Sequence, residues 1–177
     1  MEANDARKNP SRRRIVLRGL LLIVLAICGA GLWAYLEIWI PNQTLSRLDW
    51  VKTAPPEEVR KVCHKVISHR FGNHHDAFIL LNRAGNEESI PCLIRSLAWQ
   101  QGPNERGNMV CTTGHCLDSL RALTGESSLT TYGAWKQWWD EAGSKMPKEE
   151  IRRLVAASME KAERERASAR KRNSSNL

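Results

Sequence analysis

Histidine and cysteine are the residues of this 177-residue chain with most chemistry to offer, and there are five of each. His64 follows Cys63, His69 comes five residues later, His74 and His75 precede Asp76, and His115 adjoins Cys116. Imidazole nitrogen and thiolate sulfur are the ligands zinc prefers, and thiols also serve redox chemistry. The spacing argues against a local site. The chain has no Cys-x-x-Cys, no His-Glu-x-x-His and no Cys-x-x-Cys-His, so a metal or haem would need side chains brought together from distant helices. His74, His75 and Asp76 read more simply as first-turn residues of a helix. A glycine-rich phosphate loop, a Gly-x-Ser-x-Gly elbow and a paired-carboxylate signature are also missing. The sequence therefore predicts no catalytic, cofactor-binding or metal-binding residue and no bound cofactor, although carboxylates can assemble across a fold without any local motif.

Cys63, Cys92, Cys111 and Cys116 all follow residue 40. Four cysteines allow three disulfide connectivities, which the sequence leaves open. If Cys111 and Cys116 lie on one continuous helix, five residues of rise separate their α-carbons by about 7.5 Å, beyond disulfide reach. They pair only if a helix starts between them. Otherwise all four fit as small buried apolar residues.

What positions these residues starts with the run Gly19–Leu36, which is apolar throughout and preceded by Arg12, Arg13, Arg14 and Arg18. A membrane-spanning helix takes about 20 mainly apolar residues, so residues 15–40 are predicted to form a single signal-anchor span. Six basic residues against Glu2 and Asp5 precede the run. The positive-inside bias then keeps residues 1–14 cytoplasmic as a basic tail and sends everything after Ile40 across the bilayer. Trp33, Tyr35 and Trp39 suit the far headgroup layer, and Pro41 is expected to stop the helix. A cleaved signal would place its small-x-small cut at Gly29–Gly31, inside the apolar run. Ser11-Arg12-Arg13 resembles a twin-arginine signal, but arginines before a first span satisfy the positive-inside rule on their own. Cys28 follows the bulky Ile27, which does not suit lipid modification, and reads as an ordinary lipid-facing residue.

The net charge of +8 sits at the ends. Met1–Arg18 carries +4, Lys145–Arg172 carries +5, and the residues between them about −1. A nucleic-acid-binding domain shows its basic residues as a patch on the fold itself, so no nucleic-acid partner is expected. The roughly 137 residues beyond the span suffice for one ordinary domain plus a tail.

Residues 41–54 read as a connector, with Leu45, Leu48, Trp50 and Val51 available to dock it. Thr53 to Glu58 forms a helix start, with prolines and carboxylates in the first turn. Val59, Val62, Cys63, Val66 and Ile67 then line one helical face until Gly72-Asn73. Asp76–Ala84 is helical, Gly85-Asn86 supplies a left-handed cap, and Ser89 caps the helix Ile90–Leu97. After the polar loop Gln100–Asn108, a helix around Cys116, Leu117, Leu120 and Leu123 closes at Thr124-Gly125. Thr131 then caps Tyr132–Glu141. Trp135, Trp138 and Trp139, at i, i+3 and i+4, read as a last core layer rather than an exposed aromatic patch for carbohydrate, lipid or peptide.

The segment from Arg83 to Leu97, a glycine-acidic turn followed by a proline-bearing helix, resembles a HEAT repeat. Residues 111–143, where a leucine helix ends in Leu123-Thr124-Gly125 before a tryptophan-rich helix, resemble the terminal module of bacterial HEAT-repeat proteins. This resemblance implies an all-α fold in which residues 55–143 form a short HEAT-like α-α solenoid. The two repeats would pair Asp76–Ala84 with Ile90–Leu97, and the Cys116 helix with Tyr132–Glu141. They start about 35 residues apart, short for this class.

Residues 144–177 are charged, with only Ile151, Leu154, Val155, Ser158 and Met159 as a narrow stripe, and are predicted to leave the domain as a solvated helix or disordered tail. The function expected is that of a membrane-tethered adaptor or scaffold at the cell envelope, binding a protein partner there and touching lipid through its amino-terminal helix, without catalytic activity. The alternative is an envelope enzyme or thiol/metal protein built from the cysteines and histidines across the helices. A third possibility follows from the count of repeats: two are too few to stand alone, which would make the chain one subunit of a larger complex.

Overall fold

A long apolar helix leads into a set of shorter amphipathic ones in the computed structural model, which describes residues 10–100 and 110–174. Residues 1–9 of the basic tail, residues 101–109, which include most of the polar loop, and the last three residues lie outside that description. Every regular element among the described residues is helical.

Helix α1 (Pro10–Ala34) runs without interruption into a π-helical stretch, Tyr35–Trp39, and then into α2 (Ile40–Leu45). From Arg14 to Leu45 this path is long and apolar enough to cross a membrane, and none of its apolar window is buried within the fold. Cys28 is exposed on it. Pro41 does not stop the helix, contrary to expectation. The Ile40 N–H bonds to the Tyr35 carbonyl, one residue further back than in an α-helix. That wider turn sits just ahead of Pro41, which falls in the first turn of α2, where a missing N–H costs least. The path therefore continues to Leu45, and Pro41 and Leu45 are both buried.

After α3 (Leu48–Thr53), six helices among the described residues build the domain: α4 (Pro56–Ile67), α5 (His74–Ala84), α6 (Ser89–Leu97), α7 (Cys111–Thr124), α8 (Tyr132–Glu141) and α9 (Lys148–Ser174). Their contacts sort them into two layers. Helix α6 touches α4 and α8, whereas α7 touches α5 and α9, and the layers meet where α4 packs on α5 and α6 on α7. Phe78, Leu81, Leu93, Leu117, Leu120 and Trp135 are fully enclosed between them. Each such side chain is worth about 1.5–3 kcal/mol in burial, and this is what aligns the layers. Direct packing of α4 on α5 and α6 on α7 is one helix out of step with the pairing read from the sequence. That pairing followed the tight glycine turn at Gly85, which instead carries the chain from one packed pair to the next.

Helix ends explain most of the boundaries. Gly125 adopts φ +74°, the left-handed cap that ends α7, and the Thr131 side chain accepts the Ala134 N–H at the start of α8. Gly85 is not left-handed, contrary to expectation, with φ −66° and ψ 163°. Glycine is required there for space, because a Cβ would lie 2.5 Å from the Leu81 carbonyl oxygen and 3.0 Å from the Leu123 side chain. Ser89 is the first helical residue rather than the cap. Its buried hydroxyl accepts the Asn86 N–H at 3.1 Å and so closes the α5–α6 turn from inside. Helix α4 ends at Ile67, so His69 lies beyond it.

Helix α9 does not leave the domain at once. Ile151 and Val155 are buried where it packs on α7, Met159 lies partly buried against the same core, and Arg152 pairs with Glu87 at 2.8 Å. Spacing of i, i+4, i+8 gives a stripe narrow enough to miss in a charged sequence but sufficient to cover one neighbouring helix.

Candidate functional site

Among the described residues, two places bring chemically active side chains together. The first is where α5 meets α7. His75 on α5 and Cys111 and His115 on α7 each present a ligand-type atom, and these three atoms lie within 4.8 Å of one another. Cys111 and His115 are four residues apart and therefore share one face of α7. The His75 and His115 rings meet edge to face with centroids 4.7 Å apart.

The orientation of His75 is fixed from behind. Its Nδ1–H donates to Asp76 Oδ1 at 3.0 Å, and Asn73 Nδ2 donates to the other Asp76 oxygen at 2.7 Å. These hydrogen bonds, that of His75 first, hold the Asp76 carboxyl below its ordinary pKa. Asn73 also caps α5 through its side chain, accepting the Asp76 N–H at 3.3 Å. The cluster is thus built on a capped helix start, and His74 helps anchor it. His74 Nε2–H donates to the His69 carbonyl at 2.8 Å, which leaves Nδ1 to accept from Gln100 at 3.2 Å. Burial pushes the His74 pKa down, in keeping with that neutral form. A polar cleft next to the cluster is lined by Arg70, His74, His75, Gln100 and Thr112.

The remaining cysteines offer less. Cys63 and Cys116 are fully buried, and burial alone pushes the Cys63 thiol up to about 12 and raises that of Cys116 as well. Cys92 is half-buried and its pKa is also raised by burial. Such thiols stay protonated and unreactive. All five cysteines are free, and Cys111 and Cys116 share one continuous helix, the arrangement in which they cannot bridge. Cys111 is exposed, which departs from the expectation that all four would serve as core residues. His64 faces Ser89 Oγ at 2.8 Å, away from the cluster, and burial lowers its pKa. The signal for the cluster was present in the sequence as Cys111-x-x-x-His115. Reading His115 with its neighbour Cys116, which points into the core, concealed it.

The second place is the seam between the apolar helix and α4. Lys65 pairs with Glu37 at 2.8 Å, and one helical turn further the His69 ring meets Trp33 edge to face at 5.6 Å. Asn42 joins the seam from the other side, accepting the Asn73 N–H at 2.5 Å. Just past His69, Phe71 is 78% exposed. On α8, Trp135 is fully buried, while Trp138 and Trp139 lie half-buried against the core.

Comparison with protein-family models, with curated proteins and with solved structures finds no match for this chain.

Proposed function

We propose that the chain is a single-pass, membrane-anchored adaptor: a short HEAT-type α-α solenoid held against the outer face of the membrane, where it binds a protein partner. The observation that carries this reading is the seam. Glu37 with Lys65 of α4, and Trp33 with His69 just beyond the end of α4, are successive antiparallel steps along the apolar helix, so the domain is held to its anchor rather than swinging on a linker. The charge-free stretch Gly19–Leu36 has 18 residues, about 27 Å of helix, close to the hydrocarbon thickness. Trp33 then falls at the far boundary and Glu37 among the headgroups. The positive charge before Gly19 sets the amino terminus in the cytoplasm.

The two-layer contact pattern supports the solenoid reading. Two packed pairs, α4 with α5 and α6 with α7, stack through α4 on α6 and α5 on α7, and α8 and α9 extend the two layers by packing on α6 and α7 respectively, which brings the stack towards the length of about three repeats that such a fold needs. Trp135 and its two neighbours cover one end, as a terminal repeat must. Tethering raises the effective concentration of any partner in the same membrane.

The test is photo-crosslinking of the full chain in native membranes. A photoreactive residue is placed at exposed Lys61 and Arg95 on one layer, and at exposed Arg83 and Asp118 on the other. An adaptor yields one discrete protein adduct confined to one layer. Equal, unselective adducts from both layers contradict the reading.

A further inference from the structure

We infer that His75, Cys111 and His115 form a binding site for one zinc-class divalent cation, clamping α5 to α7 and leaving one coordination position open. The inference is independent of the adaptor reading, because it rests on ligand geometry alone.

Imidazole and thiolate from two helices make a mixed nitrogen and sulfur set, which suits zinc over the oxygen-seeking magnesium and calcium. A tetrahedral zinc with bonds of about 2.0–2.3 Å sets its ligand atoms roughly 3.5 Å apart. The three atoms here already lie within 4.8 Å, so rotation of side chains closes the site without moving either helix. Cys111 is exposed and His75 and His115 are half-exposed, so an ion reaches them from solvent.

The outer shell matches what such sites use. A ligating histidine normally donates its second N–H to a carboxylate, which sets ring orientation and raises basicity. The His75 Nδ1–H does so to Asp76, itself held by Asn73, which leaves Nε2 as the ligand atom. Cys111 and His115 stand at i and i+4 on α7, the same-face spacing that lets one helix supply two ligands. With three protein ligands the fourth position goes to water or to a ligand donor from a substrate or partner, the pattern that separates open zinc sites from closed structural ones. Cation binding loses the thiol proton of Cys111 to solvent, and no electron transfer is involved.

The test uses the full chain in detergent, stripped with a chelator and titrated with Co²⁺ and then Zn²⁺. Expected are a thiolate-to-cobalt charge-transfer band, its displacement by one zinc per chain, and protection of Cys111 from alkylation by zinc. Cys111→Ser abolishes the band, whereas Cys92→Ser keeps it. Asp76→Asn keeps the band but weakens zinc binding by about 10–100-fold. Lack of a band in the unsubstituted chain, or a band that survives Cys111→Ser, overturns the inference. Circular dichroism of each variant separates loss of a ligand from loss of the fold.

Discussion

The neutral state of His64 is stored in the packing of α4 on the α5–α6 turn. Its Nε2 lies 2.8 Å from the buried Ser89 hydroxyl, and burial is the main cause of its lowered pKa, with Arg60 adding to the effect and Glu88 opposing it. The unfolded chain therefore binds a proton more readily than the folded one. The stability this contributes is fully present above about pH 6.5 and is lost as pH falls through the lower folded value. Thermal unfolding of the full chain in detergent should show a melting temperature that drops on acidification. The drop should be smaller in His64→Gln, which keeps a hydrogen-bonding side chain without the titration. Equal pH slopes in the two proteins would refute this. Single residues were only partly legible in the sequence. Thr131 and Gly125 cap as their types require, but Gly85 is fixed by the approach of the Leu81 carbonyl and the Leu123 side chain, and Ser89 by a turn around Asn86. The Leu81 and Asn86 contacts are local, but they differ from the caps that glycine and serine most often supply, and the approach of Leu123 comes only with tertiary packing.

Helix α9 shows how little apolar surface suffices to attach an element. Ile151 and Val155 are buried at 8% exposure each, while most of the described side chains beyond Met159 are exposed. Ending the chain after Lys161 should leave the melting temperature unchanged. Ending it after Lys145 removes two buried aliphatic residues, each worth about 1.5–3 kcal/mol, and uncovers α7; the melting temperature should fall steeply. Equal effects of the two truncations would show that the stripe carries no stability. The loop after α4 offers a second test of how elements are placed. If the seam sets the depth of that loop, a photoreactive phenylalanine analogue at Phe71 should form lipid adducts in proteoliposomes, and one at Tyr132 should not. Lipid adducts from both positions, or from neither, contradict that placement. Helix existence was legible from apolar periodicity for α4, α5, α7 and α8. The course of the chain past Pro41 was not, because a π-turn relieves the proline from upstream without any sequence mark of its own.

Charge and hydropathy divide the chain into parts with different surroundings. The ends are basic, the middle is close to neutral, and the long apolar path is exposed along its apolar window, from which it leads directly into the domain. The helical class and the single apolar helix were both legible from composition. The two-layer arrangement was not, since the contacts of α5 with α7 and α4 with α6 join segments far apart in sequence. The cluster of His75, Cys111 and His115 escaped for the same reason: two of its side chains share a helix, and the third arrives only when α5 packs beside α7. All of this acquires a biological setting only if the apolar helix holds the domain on the far side of a bilayer. That is tested most directly by paired carboxy-terminal fusions of the full chain, one to a phosphatase active only after export and one to a fluorescent protein that folds only in the cytoplasm. The account predicts an active phosphatase and a dark fluorescent fusion, both retained in the membrane fraction until detergent is added. A bright fluorescent fusion with an inactive phosphatase, or release of the intact chain by carbonate alone, would contradict it.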